Sequence, residues 1–266
     1  MKTITHLLGL LLSSISFAQV GIGTTTPDVS AALDVESASK GLLPPRMTEA
    51  ERDAIITPAT GLIVWCTNCG IDGEVQVFNG TTWTNIIGGA AAEGPPQVGD
   101  FHDGGVVFYV VPSPTDLNGD GSLDTGLVCA LVDQSSAIKW SNSTSTTGAS
   151  ATAIGTGAAN TSTIISSQES GTYAASICGN YSITVDGIIY NDWFLPSKDE
   201  LNLMYQNKAT IDVTATSNGG NGFSSAYYWS STEANTTNAW LQTFGYGYQN
   251  NYFKSNTKRV RAVRAF

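Results

Sequence analysis

The stretch Asn191-Asp192-Trp193-Phe194-Leu195-Pro196-Ser197-Lys198-Asp199-Glu200-Leu201 constrains this chain more than any other, because it reads as a strand end, a stop and a helix start. Trp193, Phe194 and Leu195 suit a strand, and Pro196 ends pairing by removing a backbone donor. Ser197 and Glu200 then form an S-x-x-E capping box. Leu201 with Met204 or Tyr205 fall at i, i+3 and i+4, so one face of the predicted helix packs on a sheet while Asn202, Gln206 and Lys208 stay wet.

Around this stretch the second half alternates apolar runs with polar loops. Gly104 to Val111 and Gly126 to Val132 read as buried strands, and Ile138 to Ser141 as a short third. Asn160-Thr161 is a cap for a helix carrying Ile164 and Ile165, and Tyr173 to Cys178 gives another helical turn ended by Gly179. Tyr227 to Ser231 and Ala239 to Phe244 read as paired strands, Gly245 to Asn251 as an aromatic, Asn-rich turn, and Val260 to Phe266 as the closing strand. The expected class is α+β.

The first half reads differently. Lys2, the apolar run Leu8 to Leu12 and Ser16-Phe17-Ala18 make residues 1–18 an expected export signal, with no later run long enough to span a bilayer. Residues 19–87 form a β-rich segment. Thr48-Glu49-Ala50-Glu51 is a second capping box, opening a short helix that Pro58 stops, and Gly61 to Trp65, Val75 to Phe78 and Thr81 to Thr84 read as strands joined in part by Asn79-Gly80. Trp65, Phe78 and Trp83 read as core or subunit-interface aromatics, with a sugar-stacking platform as the alternative. The Gly-, Ala- and Pro-rich residues 88–97 are the expected linker to a second domain, 98–266.

Four cysteines in an exported chain predict two disulfides, Cys66 with Cys69 and Cys129 with Cys178. The second would staple a helix to the central strand. Cys66-x-x-Cys69 also has the spacing of a redox centre or half a metal site, but it lies on a hairpin with no helix start to activate a thiol.

Chemistry is sparse. Charged residues are 13% of the chain and the net charge is -10, which argues against a nucleic-acid partner. His102 is the only histidine after the signal, so triads and multi-histidine metal centres have nothing to build on. Asp192, Asp199, Glu200 and Glu233 leave a two-carboxylate hydrolase as the enzymatic alternative to a non-catalytic protein. Asp116, Asn118, Asp120, Ser122 and Asp124 have the spacing of the first part of an EF-hand-type loop, which suits Ca²⁺ as a cofactor. Leu127 stands where the bidentate acid belongs. The loop therefore needs a ligand from elsewhere, binds weakly, or is an Asx-rich turn.

The organising stretch, Tyr228-Trp229-Ser230-Ser231-Thr232-Glu233 and Arg259-Val260-Arg261-Ala262-Val263-Arg264-Ala265-Phe266 together resemble the C-terminal domain of the Legionella collagen-like (Lcl) adhesins over about residues 98–266. The resemblance implies a C-type-lectin-like fold and an association with sulfated polysaccharides. It also makes Arg261 and Arg264 structural, paired with acids such as Asp192 or Glu233. Gly21-Ile22-Gly23-Thr24-Thr25-Thr26-Pro27, with Ala32 to Val35 and Lys40 to Met47, resembles phage-tail-fibre-like segments of exported Bacteroidetes-type proteins, which implies a homotrimer. The expected function is that of a secreted or cell-surface, adhesin-like protein whose partner is an extracellular glycan or surface polymer. The residues expected to contact it are Tyr246, Tyr248, Asn250, Asn251, Tyr252, Lys254, Lys258 and Arg259, since amides bond sugar hydroxyls and tyrosines cover apolar sugar faces. A structural fibre subunit without a glycan site is the alternative.

Overall fold

The computed structural model describes residues 19–70, 72–91, 94–185 and 187–266; the expected signal, 1–18, lies outside them. The chain divides into two compact units, the first ending at Pro95 and the second running from Pro96 to Phe266.

In the first unit β1 (Val20–Ile22) and β2 (Leu33–Val35) form a parallel pair, and β3 (Arg46–Met47), β4 (Ile63–Cys66), β5 (Glu74–Phe78) and β6 (Trp83–Asn85) form a four-stranded sheet in that order. Helix α1 (Glu49–Asp53) opens with the expected capping box of Thr48 and Glu51. Cys66 and Cys69 are joined, with Cα atoms 5.4 Å apart. This is the pairing expected on the hairpin. Val20, Ile22, Leu33 and Val35 of the β1–β2 pair all expose their side chains. A two-stranded ribbon with so little buried surface is not stable by itself in water.

In the second unit a four-stranded sheet in the order β17-β9-β8-β7 is assembled from β7 (Phe101–His102), β8 (Gly105–Thr115), β9 (Asp124–Ala130) and β17 (Val263–Ala265). Its middle strands are covered on both faces, which is why they read as continuous apolar runs. Val107, Val128 and Ala130 enter one cluster, with Trp140, Trp193 and Trp229. Val106, Phe108, Leu127 and Cys129 enter the other, with Leu201, Met204 and Tyr228. Helices α2 (Gly157–Ser166) and α3 (Ala174–Gly179) pack into the first cluster, and α4 (Lys198–Gln206) and α5 (Lys208–Ser217) into the second. A second sheet has the order β10-β16-β13-β14-β15, built from β10 (Ser135–Lys139), β13 (Tyr227–Glu233), β14 (Asn238–Thr243), β15 (Gln249–Phe253) and β16 (Thr257–Val260). A separate hairpin joins β11 (Ile183–Val185) to β12 (Ile188–Tyr190).

The organising stretch lies between the clusters: Trp193 and Leu195 face one, Phe194 the other. Phe194 exchanges both backbone hydrogen bonds with Val263, at 2.8 and 2.9 Å, which ties it to the closing strand. Ser197 and Glu200 then cap α4 as expected.

Several expectations are corrected. Val260 to Phe266 is two strands in different sheets, β16 and β17, because the chain changes sheets at Arg261-Ala262. Asn160 and Thr161 do not cap α2; they are buried inside it, where Asn160 donates to the Ala151 carbonyl at 2.7 Å. Cys129 and Cys178 are not bonded to each other; both are buried free thiols. Strand parity explains this: side chains alternate across β9, so Val128 shares the cluster of Cys178 while Cys129 points into the opposite one. Burial pushes both thiols far above their ordinary range, Cys129 to about 12, which makes them poor nucleophiles.

Candidate functional site

The β13–β16 and β14–β15 pairings bring together residues that are far apart in sequence. Tyr228 pairs with Arg259 across β13 and β16, so Tyr227 and Lys258, one position earlier on each parallel strand, share the opposite face. Leu241 pairs with Asn250 and Ala239 with Tyr252 across β14 and β15. The outcome is a small cleft of about 110 Å³ lined by Tyr227, Leu241, Asn250, Tyr252 and Lys258.

The Lys258 ammonium lies between two rings, 5.1 Å from the Tyr227 centroid and 4.7 Å from that of Tyr252. Each such contact contributes about 0.5–1 kcal/mol at an exposed site, so together they hold the cation in place without neutralising it. Tyr227 is 50% and Tyr252 46% exposed, while Leu241 is buried beneath. An apolar base, two accessible rings, an amide and a fixed cation are the groups that cover a sugar face, bond its hydroxyls and attract an anionic substituent.

The structure treats the expected contact residues unequally. Asn250, Tyr252 and Lys258 line the cleft, and Tyr246 and Tyr248 project from the β14–β15 turn, 80% and 73% exposed. Asn251 is engaged within the sheet, accepting from the Asn238 amide at 2.8 Å. Lys254 is not a surface group: it is 1% exposed and ion-paired with Glu233. It alternates with the exposed Phe253 at the end of β15, and the following turn directs it inward. Arg259 faces away from Lys258 and donates to Asp133 at 2.9 Å. Tyr227 was missed, because its place beside Lys258 depends on the parallel pairing of β13 and β16, which no local pattern announces.

Asp133 is the acid the sequence reading overlooked. Its carboxylate accepts from the Tyr228 hydroxyl, Arg259 and Arg261, each at 2.9 Å. Burial, with the Asp133 charge alongside it, pushes the Tyr228 phenol up to about 12, so it remains a donor. Arg264 pairs with Asp192 as expected and also with Asp103 at 3.4 Å. Arg261, in contrast, pairs with Asp133 and not with Glu233.

The Asp116–Asp124 loop closes largely on itself. Asp116 accepts from the Gly119 and Gly121 amides at 2.6 and 3.1 Å, Asp120 from the Ser122 amide at 2.7 Å and from Asn118 at 3.2 Å, and Asp124 from the Leu117 amide at 2.7 Å. Hydrogen bonds from Ser122 and Asn118 lower the Asp120 pKa, whereas burial is the largest influence on Asp124 and raises it. The donor set therefore fits a calcium ion only in part. Among the described residues no group of three or more His, Cys, Asp or Glu side chains is arranged to hold a metal.

Residues 21–99 match the family model described as the phage tail like trimerisation region, and residues 130–264, just over half of the chain, match that of the Lcl C-terminal domain. No curated protein matches the chain. The second match begins at the end of β9, yet its last strand, β17, is completed by pairing with β9. The chain belongs to the Lcl C-terminal domain family.

Proposed function

We propose that this chain is an exported, homotrimeric, adhesin-like surface protein whose second unit, a C-type-lectin-like domain, binds extracellular glycans, sulfated polysaccharides included, through the Tyr227–Tyr252–Lys258 cleft. The observation that carries the reading is the lysine held between two accessible tyrosine rings above an apolar base. Pairing of β17 with β9 and the backbone bonds from Thr125 and Gly126 to the terminal Phe266 carbonyl support a closed, lectin-like domain. The descriptions of the two matched families name no reaction, and three of the four acids considered for catalysis are otherwise engaged: Glu200 caps α4, Glu233 pairs with Lys254, and Asp192 pairs with Arg264. Among the described residues no helix is long and apolar enough to cross a membrane.

The test is binding of dextran sulfate and unsulfated dextran to the full chain, by biolayer interferometry in calcium and in chelator. The Tyr227→Ala/Tyr252→Ala variant weakens dextran sulfate binding at least tenfold, and Lys258→Ala lowers its salt dependence. Unchanged affinity in the double tyrosine variant would remove the cleft from consideration. Calcium bound by Asp116, Asp120 and Asp124 forms a separate proposal, and binding abolished by chelator and by Asp116→Ala would support it.

Trimerisation has its own readout. Val20, Ile22, Leu33 and Val35 present an apolar face on a ribbon too small to be stable alone, as expected where identical chains supply the rest of the core. Ile22→Asp/Leu33→Asp is expected to convert a species of three times the chain mass into monomer by light scattering, with the second unit still folded. A wild-type monomer would sink the trimer.

A further inference from the structure

The turn that opens the second unit is stitched onto α5. The Gly99 N–H donates to the Val107 carbonyl at 2.8 Å, the Val107 N–H to the Asp100 carbonyl at 2.9 Å, and the Thr214 hydroxyl of α5 to the Gly99 carbonyl at 2.6 Å. Gly99 takes a φ of +105°, and a Cβ there would stand 2.4 Å from Thr210 Cγ2, so the turn lies directly against the helix. Phe101 pairs with Val106, whose side chain enters the cluster that Ile211 and Ala215 of α5 cover. Directly opposed residues share a face, so Phe101 emerges on the α5 side of its sheet. Val98, Phe101 and Val213, which surround this contact, are 41%, 38% and 68% exposed. Charge is absent among them: the outer residues of α5 are Ala209, Thr210, Val213, Thr216 and Ser217, Lys208 and Asp212 pair with each other, and Asp100 accepts from the Gln97 amide at 2.7 Å. An outward helix face ordinarily carries charge, and charge is what the centre of a subunit contact lacks.

The match to the trimerisation region does not stop where the first unit does. It runs to residue 99, past Pro95 and through Val98. The Gly94 N–H still donates to Glu49 of α1 at 2.8 Å, which leaves only residues 95–98 between that anchor and Gly99. A stretch of four residues spans at most about 14 Å. Chains joined through the matched region therefore carry their α5 faces on very short tethers, at an effective concentration on the order of millimolar. A contact of a few apolar side chains, far too small to join free proteins, is then enough.

We propose that the second units of the trimer pack against one another through this face, Val98, Phe101 and Val213 of one copy meeting those of the next. The occupant is a second copy of this chain. The contact rests on the trimer and goes beyond it, because α5 lies outside the matched region and holds no place in that region's own assembly. The tyrosine cleft is built on the other sheet and takes no part.

Cross-linking of the full chain through single introduced cysteines tests the proposal. The native cysteines do not compete, since Cys66 and Cys69 are bonded and Cys129 and Cys178 are buried. With a short bismaleimide at dilute protein, Val213→Cys is expected to give mainly two-chain species on a denaturing gel. Ser162→Cys, exposed on α2 over the other face of the sheet, is expected to give none. Thr210→Asp, added to Val213→Cys, places a charge at an exposed position outside the matched region and is expected to abolish the link, with the trimer mass retained in light scattering. A trimer in which Val213→Cys links no better than Ser162→Cys, whether its thiol reacts freely or is shielded by another part of the chain, overturns this contact and leaves the trimer standing. Cross-linking that persists in the Thr210→Asp trimer overturns it as well. A wild-type monomer overturns both the contact and the trimer.

Discussion

Replacing Lys254 with methionine is expected to cost the second unit about 3–5 kcal/mol, the range for removing one partner of a buried ion pair. The ammonium donates to Glu233 and to the carbonyls of Thr236 and Ser145, at 2.9 and 3.2 Å for the carbonyls, and lies 4.9 Å from the Trp140 ring centroid. Glu233 in turn accepts from the Thr147 amide at 2.9 and 3.1 Å and from the Gly148 amide at 3.0 Å. Without the lysine, a carboxylate 5% exposed keeps two amide donors and no counter-charge. Urea unfolding followed by tryptophan fluorescence reports the loss, since Trp140, Trp193, Trp229 and Trp240 all belong to this unit. The Lys254→Met/Glu233→Leu double variant, which removes both charges, recovers part of it. A loss below about 1 kcal/mol in the single variant would mean that the pair behaves like an exposed one.

This pair also shows where the sequence could be read and where it could not. The capping boxes at Thr48 and Ser197 depend on residues three apart, and both helices begin where those residues place them. Strands β8 and β9 are apolar on both faces, which is visible in a continuous run. Lys254, however, follows an aromatic, Asn-rich segment whose local composition is that of a wet hairpin, and only β15 pairing beside β14 shows that the turn after it carries the lysine inward. The same limit applies to Cys129, where a shift of one residue along β9 decides which core a side chain enters. It applies again to Asp133, whose three donors come from β13, from β16 and from the sheet change at Arg261. Spacing reveals local structure; the ion pairs and the tyrosine cleft are products of long-range register, and a single chain's sequence does not state that register.

Glu200→Ala is expected to destabilise the second unit by about 3 kcal/mol or more near pH 5, and this deficit shrinks as pH rises. Glu200 is wholly buried and accepts from the Gly155, Gly157 and Ser197 amides at 2.8, 3.3 and 2.7 Å, so it caps α4 and secures the start of α2 at once. Gly157 is what lets the carboxylate approach, since a Cβ there would stand 2.3 Å from its Oε2 atom. Orphaning buried amides costs about 1–3 kcal/mol each. Burial, opposed by these three donors, raises the Glu200 pKa from 4.5 to about 7. A raised folded-state pKa means that the native state binds the proton more tightly. The linked stability is therefore fully present below about pH 4.5 and is lost as pH rises through about 7, a change of roughly 3 kcal/mol. Glu233 has the opposite sign. Burial pushes its pKa up, but Lys254 and the two amides outweigh burial and leave it lowered, so its contribution is present above the ordinary carboxylate range and is lost as pH falls. Acidification should thus widen the deficit of Glu200→Ala and narrow that of Lys254→Met. If both deficits moved together, one of these two carboxylates would have been assigned the wrong dominant partner; a Glu200→Ala deficit that grew with pH would mean that the amides, not burial, govern its titration.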